Sequence, residues 1–137
     1  MKILGISIEC RKCITVVLDD ASGAVAVAKG ITKFEVNDTE SQEDLKTFYK
    51  TLVAFIRDES INLIFIKQRN KKGEYAGGAE GFKIEAIIQL VDVPVNFISA
   101  NAIAAKMKKH DISTLKESVY NYQEDALKTA FVGSLIK

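Results

Sequence analysis

The chain has 137 residues, 47% of them hydrophobic and 27% charged, with a formal net charge of +1. That length suits one core, so a single domain over residues 1–137 is expected, and a near-neutral chain has no whole-molecule field to draw in a polyanion. No apolar run is long enough to span a bilayer, and Met1-Lys2 leads into a strand-like run rather than a leader pattern, so the expected setting is the cytoplasm, without a membrane partner.

Lys2 to Ile8 reads as a first strand and Lys12 to Leu18 as a second, with turn chemistry from Asp19 to Gly23. Ala24 to Phe34 reads as a third strand, interrupted near Gly30. Three strands so close in sequence predict an antiparallel meander. Ser41 to Glu59 is a helix, because Leu45, Phe48, Tyr49, Leu52, Val53 and Ile56 recur at helical spacing. Ser41 or Thr39 is suited to cap it, and Glu43 and Asp44 suit its first turn. Ile61 to Ile66 is a short apolar strand, followed by a glycine-rich loop and a helix carrying Phe82, Ala86, Ile87, Leu90 and Val91. Val95 to Ile98 is a fifth strand, and Ser99 caps a helix that runs to about Lys109. A last helix runs from about Tyr120 to Ile136, with Ala126, Leu127, Ala130, Phe131 and Leu135 on its apolar side. The fold class is therefore α/β, with a mixed five-stranded sheet, three strands antiparallel and the rest parallel, flanked by helices.

The strand at Ile61 ends in Lys67, Gln68, Arg69, Asn70, Lys71 and Lys72, which carries positive charge to its carboxyl end. Binding sites in open α/β sheets form at such ends. Lys67, Arg69, Lys71 and Lys72 are the candidate phosphate contacts, and Tyr75 is placed to stack on a base. Gly77 and Gly78 would let backbone approach a ligand. The loop lacks the spacing of a P-loop, and a solvated surface loop has the same composition.

Cys10 and Cys13 form a C-x-x-C in a predicted hairpin, not at the start of a helix where a dipole lowers a thiol pKa. Two ligands make half a zinc site, and the one histidine, His110, does not complete it alone, although a symmetric dimer could. Packing as small hydrophobes is the expected role of both cysteines.

The element order resembles the ribonuclease H-like fold. Gly5-Ile6-Ser7 is similar to the first-strand GID of RuvC-type resolvases, and Asp125-Ala126-Leu127 to the DAL in their last helix. Phe97 to Lys106 resembles the RuvC segment that opens the helix after the fifth strand. Leu4 to Asp20 is similar to the opening hairpin of small YqgF-type ribosomal RNA nucleases. The whole chain resembles a small bacterial family of about this length, known mainly as a domain of unknown function and placed in the ribonuclease H-like group, and Lys71 to Leu90 carries that match.

That family implies a fold and no established activity; the resemblance to ribonuclease H-like nucleases implies a nucleic-acid substrate and two divalent metals, Mg²⁺ or Mn²⁺, held by carboxylates on the first strand, the fourth strand and the last helix. The first position holds Ser7, and Glu9 lies two residues on along the same strand face. The second holds Lys67 or Gln68, neither a carboxylate. The third keeps Glu124 and Asp125, which diverge by about 100° on a helix. Glu9, Gln68, Glu124 and Asp125 are thus the candidate catalytic positions, and Glu9 and Asp125 the candidate metal ligands. The expectation is a nucleic-acid-associated protein on a nuclease scaffold with a degraded or non-standard metal site; any activity would be metal-dependent nuclease cleavage. The alternative is a non-catalytic homodimeric interaction module, with Phe131, Leu135 and Ile136 at its interface.

Overall fold

A computed structural model describes residues 1–21, 24–28, 30–69 and 78–137. The elements are β1 (Lys2–Glu9), β2 (Lys12–Ala21), β3 (Ala24–Ala28), β4 (Lys33–Glu35), α1 (Gln42–Asp58), β5 (Leu63–Lys67), α2 (Ala79–Ile88), β6 (Val95–Ile98), α3 (Ala100–Met107), α4 (Ser113–Lys116) and α5 (Glu124–Ile136), with a 3-10 turn at Asn121–Gln123 before α5.

The strand order is β3-β2-β1-β5-β6, with β4 also on β2. β1, β2 and β3 are antiparallel neighbours, while β5 runs parallel to β1 and β6 parallel to β5. This is the expected mixed sheet, with one strand more than foreseen. The third strand is two short ones: Ala28 faces Val17 but Lys33 faces Ile14, so two extra residues intervene around Gly30. Thr15 closes the gap, donating its N–H to Thr32 O at 2.9 Å and its hydroxyl to Ile31 O at 2.7 Å. Such a bulge kinks a strand without detaching it.

Strand alternation divides the core. Leu4, Ile6, Ile8, Ile64 and Ile66 pack with Phe48, Leu52, Phe55, Ile84 and Ile88 of α1 and α2 on one face. Ile3, Ile14, Val16, Leu18 and Phe65 pack with Ile103 of α3 and Ala126, Leu127 and Ala130 of α5 on the other. Ser41 caps α1, its hydroxyl accepting from Asp44 N–H at 3.1 Å, and Ser99 caps α3 in the same way from Ala102 N–H.

α5 lies unusually close to the centre of the sheet. A Cβ on Gly5 of β1 would fall 2.6 Å from both Ala130 N and Ala130 Cβ, and closer still to Ala126 O. A Cβ on Gly133 would overlap the Phe65 ring, 2.7 Å from its Cγ. Two glycines, one on a strand and one on the helix, thus allow strand and helix backbones to approach.

The start of α5 is corrected from Tyr120 to Glu124. Gln123 is responsible. It is 5% exposed, its Oε1 accepts from Tyr120 N–H at 2.9 Å and its Nε2 donates to Thr15 O at 2.9 Å. The amide ends one turn, starts the next and pins both to β2. Gln123→Ala would leave a buried carbonyl and a backbone N–H without these partners, so a loss of about 1–3 kcal/mol is expected in urea unfolding. A change of only a few tenths would mean the amide is not the anchor.

Candidate functional site

β1 and β5 are the parallel pair at which the chain turns from meander to crossover, and their carboxyl ends lie side by side. Such switch points are where α/β sheets bind ligands. Alternation decides which side chains face α5 there. Gly5 touches α5 and Phe65 packs in its core, so Ser7 and Lys67, two residues on along each strand, face the same way. Ser7 is 5% exposed and presents no charge. Lys67 reaches across to the last helix, its Nζ donating to Asp125 Oδ2 at 3.1 Å.

Of the two adjacent acids, only Asp125 faces this point. Glu124 turns away to Lys116, 2.7 Å from Oε1, with Lys128 at 3.9 Å. The Lys116 hydrogen bond, aided by the charges of Lys128 and Lys116, holds the Glu124 carboxyl below its ordinary range. Glu9 is exposed at the last β1–β2 pair, opposite Lys12. Gln68 is exposed one residue past β5, its N–H donating to Ile98 O at 2.8 Å. The four candidate catalytic positions therefore do not form one carboxylate cluster, and among the described residues no group of three potential metal ligands converges. Hard divalent cations need several oxygen ligands at one point. Among the described residues one carboxylate, Asp125, faces this point, already paired with an ammonium, and these residues do not fit a two-metal centre.

The basic strand end also resolves into parts. Arg69 is engaged: its guanidinium donates to Gly78 O at 3.3 Å and lies over the Phe82 ring, 4.9 Å from the centroid. It buttresses the start of α2, where Gly81 leaves the room it fills. Gly78 is the residue before α2. Lys71, Lys72, Tyr75 and Gly77 lie outside the described residues.

Cys13 is buried in the α1–α2 core, and burial pushes its thiol up to about 12, so it packs as a hydrophobe. Cys10 departs from that expectation. It is exposed, at φ 52° in the two-residue hairpin between β1 and β2.

Residues 1–133 match the family model described as "Protein of unknown function (DUF3010)". The chain belongs to the DUF3010 family. Comparison with curated protein sequences finds no match. Among solved structures, RuvC of T. thermophilus in complex with a Holliday junction substrate is similar, with a TM-score of 0.68 at 13% identity, covering 96% of this chain and 91% of that one. The fowlpox virus resolvase in complex with Holliday junction DNA has a TM-score of 0.53 at 12% identity, with all of both chains covered. At such identities the likeness is one of fold, and this DUF3010 chain has a RuvC-like, ribonuclease H-like scaffold.

The sequence placed Lys67 and Asp125 at two of the three acid positions but did not join them. It missed Gln123 and the aromatic pair Tyr120 and Tyr122. A groove of about 770 Å³ between α1 and α2 was also missed. Leu45, Tyr49, Ile87 and Leu90 line it, with Lys46, Lys50 and Lys83 beside them, on the face of the sheet opposite Asp125.

Proposed function

We propose that this protein binds nucleic acid through a resolvase-type scaffold without cutting it. The ion pair of Lys67 and Asp125 is the observation that carries this reading. An ammonium stands at the second acid position implied by the resemblance, on the one carboxylate among the described residues that faces the site. It supplies positive charge for a phosphate oxygen. An ammonium is neither a Lewis acid nor a source of metal-bound water, so in this reading the site holds a phosphate without hydrolysing the phosphodiester. Lys67 is only partly exposed, its side chain at 32%, so a phosphate would compete with Asp125 for it rather than meet a free lysine. Lys71 and Lys72, four and five residues on, are the further phosphate contacts in this reading.

Lys67→Ala tests it. Binding of a labelled oligonucleotide at low salt is expected to weaken roughly tenfold, and the slope of log affinity against log salt to fall by about 1, the signature of one lost phosphate contact. An unchanged affinity and slope would remove Lys67 from the interface. The groove between α1 and α2 favours a second reading, a protein-interaction module, since Leu90 is 68% exposed at its edge. Failure of the wild-type protein to bind any nucleic acid would favour that module.

A further inference from the structure

The turn before α5 holds two tyrosines that stack on each other in the open. The rings of Tyr120 and Tyr122 have centroids 5.6 Å apart and planes within 6° of parallel. Tyr120 is 65% exposed and Tyr122 41%. Large aromatic surface left together in water is uncommon unless something covers it in use.

The pair is built rather than loose. Tyr122 is fixed from the sheet side, its hydroxyl sharing a 2.6 Å hydrogen bond with Thr32 Oγ1 and its ring lying 5.3 Å from Lys33 Nζ. Tyr120 is fixed through its backbone, which Gln123 holds. Two flat rings are thus ordered before any ligand arrives, so little conformational freedom remains to be lost on stacking.

Position relates the pair to the ion pair. Ile14 is paired with Ser7 on one side and Lys33 on the other, and residues directly opposite share a sheet face. Lys67 lies one step beyond the last β1–β5 pair, Ile6 with Ile66, and so at the level of Ser7. Lys33 and Lys67 therefore flank one row across four strands, roughly 14 Å apart at three strand spacings. The 3-10 turn and the first turn of α5 cross that row, with Tyr122 at Lys33, Gln123 on β2 and Asp125 at Lys67.

We infer that Tyr120, backed by the stacked Tyr122, forms a stacking platform for an unpaired base of a single-stranded or locally opened polynucleotide, whose backbone runs past Lys33 and Lys67. A stacking surface accepts any base and has no use for the closed edge of a duplex, so the site selects strand state rather than sequence. This rests on the nucleic-acid reading above and sharpens its substrate class.

The test is binding of an oligothymidylate of about 15 nucleotides and of a duplex of equal length, in chelator. Wild type is compared with Tyr120→Ala and Tyr120→Phe. The chain has no tryptophan and four tyrosines, so the part of the emission quench that Tyr120→Ala abolishes gives a second readout of ring stacking. Tyr120→Ala should lose roughly tenfold in single-strand affinity and leave duplex binding unchanged. Tyr120→Phe, which keeps the ring, should bind like wild type, and the single strand should quench wild-type tyrosine emission. If Tyr120→Ala binds the single strand as tightly as wild type, the platform is overturned while nucleic-acid binding stands. If the wild-type protein binds neither ligand, both readings fall.

Discussion

Gly5→Ala is expected to cost about 3 kcal/mol or more of folding stability, enough to unfold much of a domain of ordinary stability. A methyl group there would meet Ala126 O and Ala130 N, which are backbone atoms of α5 and cannot rotate aside. The only relief is to lift α5 off β1, which would open the core around Ala126, Leu127 and Ala130, all fully buried. Gly133→Ala should cost less. Its new methyl meets the side chain of Phe65, and a ring can shift where a helix backbone cannot. Urea unfolding of both variants checks the order. A Gly5→Ala protein within about 1 kcal/mol of wild type would mean that α5 is not seated on β1, and Asp125 would lose its place beside Lys67.

The second large effect is expected from Lys67→Asp. Two unit charges about 4 Å apart interact by roughly 4 kcal/mol at an effective dielectric of 20, but both side chains here are partly exposed. Screening reduces the net loss of stability to about 1 kcal/mol. The functional change is larger. The substitution replaces attraction for a phosphate by repulsion, so oligonucleotide affinity at low salt should fall by well over tenfold. It also sets two carboxylates against each other where wild type has an ion pair. The variant should therefore gain a Mn²⁺-dependent rise in Tm that wild type lacks, since a ligand that binds only the folded state stabilises it. Equal Mn²⁺ responses in the two proteins would mean that the lysine does not govern cation binding there.

The sequence carried the fold through local signals. Helical spacing from Leu45 to Ile56 and the caps at Ser41 and Ser99 all became elements of the structure. The site was only partly legible, for identifiable reasons. Strand ends are uncertain by a residue or two, so Lys67 and Gln68 competed for one position. The α5-facing side of Phe65 decides between them, because the period of two carries Lys67 to the same side. The bond from Lys67 to Asp125 joins residues 58 apart in sequence, and no local pattern reports such a pair. Tyr120 and Tyr122 were hidden by a helix read too long: on a helix they would point roughly 200° apart, whereas Tyr120 stands just outside the 3-10 turn with extended backbone and its ring stacks on Tyr122 from there. Gly5 was noticed as part of a motif, but its reason lies in a helix more than a hundred residues later.

The most direct test of the ion-pair site is binding and cleavage of a labelled four-way junction, beside single strand, duplex and RNA–DNA hybrid, in Mg²⁺, in Mn²⁺ and in chelator. The predicted result is binding that survives chelation, with every strand intact under all three conditions. Metal-dependent cleavage that disappears in an Asp125→Asn variant would contradict it, and would mean that Lys67 yields its place to a metal when substrate is bound.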